Sequence, residues 1–221
     1  NKILSYREFG LLEEGKWKVG GFNPHVILMA GKESHFKFLQ QMQDLTGSTI
    51  IATGGQPSTI TSEYFTDALK EALDKAGNPD QITVLSLTDY DPFGWALLDT
   101  FMGDLKTFGI KNTQVINLSV PKNYTAEELE FRHYDIEKSE DTPLTMLRKW
   151  MKLTNGIEGK PWGMEVDVLM LNKPRVKDLI LEAGKPFFKV PPPVPTKLWR
   201  ESESFFKALT KKALKTLKKQ K

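Results

Sequence analysis

Two aspartates one residue apart, Asp89 and Asp91, stand where an apolar run (residues 82–87) gives way to Pro92, Gly94 and a helical pattern. Carboxylates are hard oxygen donors. Mg2+ prefers such donors and usually takes one or two of them, completing its shell with water and phosphate. In an extended segment, residues 89 and 91 project to the same side, about 7 Å apart along the chain. One hydrated cation can bridge that gap. Aspartate, proline and glycine are also ordinary turn residues, so the pair takes its meaning from its surroundings.

Those surroundings are repeated strand–loop–helix units. Residues 25–30 read as a buried strand and 33–45 as a helix with Phe36, Leu39, Met42 and Leu45 inward. Residues 48–53 form a second strand, closed by Gly54-Gly55-Gln56-Pro57, and 58–76 a second helix. A third strand covers 81–88 and a third helix 92–108, with Pro92 suited to its first turn. A fourth strand covers 113–120. Near-continuous apolar strands alternating with helices predict an α/β fold with a parallel sheet covered on both faces. Such sheets place ligands beyond the carboxyl ends of their strands. Residues 31–33, 53–57 and 89–94 share that edge.

Lys32 and the Gly54–Gly55 turn therefore fall where a phosphate would be held, by a cation and by free backbone N–H groups. A solvated lysine and a plain glycine turn are the competing roles. His35 lies within reach of the same edge, although a lone histidine is more often structural. Trp95 is expected to pack against neighbouring helices. After residue 120 the pattern becomes mainly helical: 125–132, 143–153, 164–171 and 174–183, with a polar loop over 133–142. Pro191, Pro192, Pro193 and Pro195 make a stiff linker before a basic amphipathic helix from about residue 196.

Composition narrows the chemistry. The 221 residues contain no cysteine, which removes disulfides, zinc–thiolate sites and cysteine nucleophiles. No run approaches the roughly 18 apolar residues of a membrane span, and no signal-peptide pattern opens the chain. Net charge is +3, unevenly spread: residues 200–221 carry +6 and the rest −3. The tail, rather than the body, has the charge of a nucleic-acid arm or a docking helix.

The segments 25–39, 49–65 and 85–109 together resemble a Toprim domain, in the form found in the topoisomerase VI A subunit and Spo11-like family. The Asp-x-Asp-Pro-x-Gly segment, read here as Asp89-Tyr90-Asp91-Pro92-Phe93-Gly94, is the most specific match. The Thr53–Pro57 loop and the stretch Gly163-Met164-Glu165-Val166-Asp167-Val168-Leu169 also resemble family segments. The likeness spans roughly residues 20–185. It implies a Toprim-like sheet over 25–188 with a helical C-terminal extension, a lead over 1–24, and the linker and basic helix over 189–221. It also implies Mg2+ at Asp89 and Asp91, double-stranded DNA as partner, action in DNA strand breakage and rejoining, a homodimer, and an ATP-hydrolysing B subunit. The implied setting is the cytoplasm, associated with the nucleoid, or the nucleus in a eukaryote, with no membrane.

Two departures qualify the resemblance. Family members carry a glutamate at the end of the first strand, as metal ligand or acid–base group; here that position is Gly31. Glu33, two residues on, is the candidate to replace it as third metal ligand and catalytic acid. Family enzymes also take a nucleophilic tyrosine from a separate preceding domain. Tyr6, in the lead, lacks the matching surroundings, and Tyr64, Tyr90, Tyr124 and Tyr134 lie within the body, so no nucleophile is assigned. A Toprim nuclease using metal-activated water, and a non-catalytic DNA-binding or assembly module, are the alternative readings. A phosphoryl-accepting receiver domain fits the paired aspartates poorly.

Overall fold

A computed structural model describes residues 16–55, 58–138 and 142–189. Two compact units divide after Phe188. The linker and basic helix expected beyond residue 189, and most of the N-terminal lead with Tyr6, lie outside the described residues.

The first unit is α/β. Its strands are β1 (Trp17–Lys18), β2 (Asn23–Ala30), β3 (Ser48–Ala52), β4 (Ile82–Leu87) and β5 (Thr113–Asn117). They form one sheet in the order β1-β3-β2-β4-β5. Pairings among β2, β3, β4 and β5 are parallel, while β1 adds antiparallel to β3. β2 and β4 are buried along their whole lengths, which is why they read as unbroken apolar runs. Leaving β2, the chain crosses to β3 on one side, and β4 lies on the other. The ends of β2 and β4 thus flank the crevice where the strand order reverses.

Helices α1 (Phe36–Thr46), α2 (Thr59–Lys75) and α3 (Pro92–Thr107) cover the sheet. Alternate residues of β2 serve the two faces. Val26, Leu28 and Ala30 join α1 residues Phe38, Leu39 and Met42 in one core. Ile27 and Met29 join Phe65, Leu69, Phe101 and Leu105 of α2 and α3 in the other. Leu45, expected inward, is instead exposed at the end of α1, and Phe38 takes the buried place. A 3-10 turn over Glu33–His35 precedes α1 and rotates its face relative to a helix counted from residue 33.

The rest of the unit packs on the α1 face. It comprises α4 (Ala126–Arg132), β6 (His133–Asp135), α5 (Leu144–Thr154), β7 (Trp162–Met164), α6 (Val166–Met170) and α7 (Lys173–Gly184). Leu147 and Trp150 of α5, Leu169 of α6, and Val176 and Ile180 of α7 complete the first core. A capping box at Thr125 starts α4, and its Glu128 also accepts from Arg175 of α7, at 2.9 and 3.1 Å.

Two expectations fail here. Residues 133–135 are a strand rather than loop, and Met164 ends a strand rather than starting a helix. The two short segments pair antiparallel with each other, and at three residues each they are too short for periodicity to reveal. No helix among the described residues is long and apolar enough to cross a membrane.

The entry to α3 fixes the loop that follows β4. Pro92 occupies its first turn, and the Asp91 side chain caps it by accepting from Gly94 N. A Cβ at Gly94 would stand 2.1 Å from the Asp89 carbonyl oxygen, which is backbone and cannot yield cheaply. Gly94→Ala is therefore expected to lower stability by about 1–3 kcal/mol, as overpacked sites do. Chemical denaturation measures this, and an unchanged midpoint would refute the close approach.

Candidate metal and phosphate site

Tyr90 organises the site. Its N–H donates to the Met164 carbonyl at 2.8 Å, and Met164 N–H donates back at 3.1 Å. Its ring is buried edge-on against Trp150, with centroids 5.3 Å apart, and its hydroxyl donates to the Gly156 carbonyl. With Tyr90 pointing inward, the alternation of extended backbone turns Asp89 and Asp91 the other way.

Each aspartate is held. Asp89 Oδ1 accepts from Val166 N–H at 2.7 Å. Asp91 Oδ1 accepts from Gly94 N–H at 2.6 Å, and its Oδ2 accepts from the Tyr134 hydroxyl at 2.5 Å. Tyr134 reaches Asp91 from β6. Its partner on the neighbouring antiparallel strand is Gly163, where a Cβ would come within 2.7 Å of the phenol ring.

Lys32 leaves the end of β2 and enters a group of acids. Its Nζ lies 2.6 Å from Asp167 Oδ2, 3.6 Å from Asp89 Oδ1 and 3.7 Å from Glu165 Oε2. Asp167 also accepts from His35 Nε2 at 2.7 Å. The His35 ring is buried, and its Nδ1 has no hydrogen-bond partner.

The charges here act on one another. Burial raises the Asp89 carboxyl above its ordinary value; the Val166 amide and Lys32 oppose the rise, while Asp91 and Glu165 add to it. Burial also works against ionised Asp167, but its bonds to Lys32 and His35 outweigh this and hold it low. Lys32 is pushed up: the acids around it overcome the effect of burial. Burial and the neighbouring acids push the Tyr134 phenol far up, so it remains a proton donor to Asp91. Tyr90 and Tyr124 are likewise raised, chiefly by burial.

Glu33 goes elsewhere. Its carboxylate pairs with Lys16 and lies against Gly54. The Gly54–Gly55 turn has positive φ at both residues, and Gly55 N–H donates to the Gly31 carbonyl at 3.2 Å. That amide is thus committed to joining the first two loops. Trp95 packs against the first core, with the Lys149 ammonium 4.5 Å from its ring centroid.

Among the described residues, no three His, Cys, Asp or Glu side chains are grouped so as to hold a metal ion. The donor chemistry still suits Mg2+, which is commonly held by one or two carboxylates and completed by water and phosphate. Asp89 and Asp91 supply such a pair, each held by a backbone N–H group. The types of Glu165 and Asp167 alone did not mark them as partners of Lys32. Nothing in the sequence marked Tyr134. No protein-family model, curated protein or solved structure matches the chain.

Because folding raises the Asp89 pKa, its contribution to stability is fully present below the ordinary carboxylate value and is lost as pH rises through the folded value. Asp89→Asn removes this loss. Its stability relative to wild type should therefore rise as pH climbs from below the ordinary aspartate value toward neutrality, as read by denaturation at a series of pH values. A difference that is flat in pH would show that Asp89 carries no such burden.

Proposed function

We propose that this chain is a Toprim-like domain of a topoisomerase VI A-subunit-like protein, binding Mg2+ and double-stranded DNA in DNA strand breakage and rejoining. The observation that carries the reading is the meeting of Asp89 with Glu165 and Asp167 around Lys32. Two stretches that each resemble the family are joined by hydrogen bonds, one of them spanning 77 residues from Val166 N–H to Asp89. In this reading the protein works as a dimer together with an ATP-hydrolysing B subunit.

Asp89 and Asp91 are the residues that would hold Mg2+, with Glu165 beside them. Bound there, the ion would offset charge on a phosphate oxygen during strand transfer. The chain's own residues prepare the site. Val166 and Gly94 fix the two carboxylates by backbone N–H, and Tyr134 supplies a proton donor to Asp91. The two-stranded β6–β7 sheet that carries Tyr134 also stacks His133 on Trp162 at 4.0 Å, with the Lys160 ammonium 4.1 Å from the indole. Aromatic faces beside cations suit nucleic acid.

A second reading, the non-catalytic DNA-binding or assembly module, is favoured by Gly31 and by Glu33 being paired with Lys16. The missing acid can be restored. Gly31 lies outside the left-handed region, and a Cβ there would meet Thr88 at an ordinary 3.6 Å.

Binding of a short duplex should weaken steeply with salt, as phosphate contacts require. With duplex present, calorimetry should show saturable Mg2+ binding, weakened by about tenfold or more in Asp89→Ala, a loss of about 1.4 kcal/mol, and strengthened in Gly31→Glu. Duplex binding indifferent to Mg2+ and to Asp89→Ala would support the module reading. Absence of both duplex and Mg2+ binding would overturn the proposal.

A further inference from the structure

We infer that Lys32 is the resident counter-cation of the acid group, and that a divalent ion loads as the Lys32 ammonium leaves for a phosphate of bound nucleic acid. The inference rests on the metal-and-DNA reading above and concerns how that site is controlled.

Three carboxylates from two elements converge on one ammonium. Asp89 leaves β4, and Glu165 and Asp167 flank the start of α6. Lys32 Nζ stands within 4 Å of all three. A metal held by Asp89 would meet this ammonium within a few ångströms, and two cations at such range repel strongly. Lys32 and a divalent ion are therefore competitors for one negatively charged space.

The lysine is able to leave. Lys32 is itself extended, at φ −120° and ψ 131°, and sits at the end of β2 before the turn. Its side chain is about a third exposed, while Asp89 is anchored by Val166 N–H and Asp167 by buried His35. Four rotatable carbons separate a fixed backbone from a strongly hydrated charge. A phosphate arriving at the strand-end edge offers that ammonium an equivalent partner. Exchanging one for the other leaves the acids free for a divalent ion, so nucleic acid and metal would each favour binding of the other.

The test is a calorimetric Mg2+ titration of the full chain, with and without a short DNA duplex, for wild type, Lys32→Met and Lys32→Arg. In wild type, duplex should tighten Mg2+ binding, and Mg2+ should tighten duplex binding by the same factor, as linkage demands. Lys32→Met should bind Mg2+ without duplex about tenfold or more tightly than wild type, because the competing charge is gone. It should also lose most of the coupling. Lys32→Arg keeps the charge and should retain weak binding without duplex. A rise in melting temperature with added Mg2+, larger in Lys32→Met than in wild type, gives a second readout and reports that the variant is folded. If wild type binds Mg2+ and Lys32→Met binds it no more tightly, the lysine is only a structural ion pair; this inference falls while the metal-and-DNA reading stands. If none of the three binds Mg2+ under either condition, both fall.

Discussion

The antiparallel bridge between Tyr90 and Met164 is the constraint on which the site depends. It joins the end of a central parallel strand to a segment more than seventy residues later in the chain. Tyr90 buries its ring against Trp150, and the alternation of extended backbone then turns both aspartates to the opposite side. Met164 also pairs with His133 in the two-stranded β6–β7 sheet, so one residue links the main sheet to the element that delivers Tyr134. Just beyond the bridge, Val166 N–H finds Asp89 and α6 begins, bringing Asp167 to Lys32. The first core therefore runs from the sheet through α5, α6 and α7 without a break, and the site's geometry is a product of that core's packing.

Electrostatics works against this arrangement. Burial is the main cost to ionised Asp89; repulsion from Asp91 and Glu165 adds to it, and the Val166 amide and Lys32 oppose it. Elsewhere in the unit, charge is matched: Glu128, held low by its Thr125 and Arg175 hydrogen bonds in spite of burial, is the clearest case. A partly buried carboxylate at the reversal point of a sheet, where backbone loops converge, is the kind of local cost that folds retain for ligands. The cost is bearable because backbone N–H groups, which carry no desolvation penalty of a full charge, hold both aspartates.

The parallel sheet was legible because β2 and β4 are buried on both faces, which leaves an unbroken apolar record in the sequence. Its edge was legible too: glycine and proline mark where Gly31, Gly54 and Pro92 turn the chain. The two-stranded β6–β7 sheet was not. Its strands are three residues long and half polar, and their pairing is set by tertiary contact with Tyr90 rather than by local preference. Tyr134 was therefore invisible as a partner of Asp91. Glu33 shows a different limit. Its place two residues past Gly31 suggested a substitute acid, but the 3-10 turn that starts at Glu33 itself takes its side chain to Lys16 and Gly54. A change of backbone direction within one residue decides such a question, and residue type does not record it.

The most direct test of the central claim is an anomalous-difference map from crystals grown with Mn2+ and a short DNA duplex. The account predicts a peak bonded to carboxylate oxygens of Asp89 or Asp91, with Lys32 turned out of the acid group toward a phosphate. A map with no peak at these aspartates, or one in which Lys32 still bridges Asp89, Glu165 and Asp167 while DNA is bound, would contradict it.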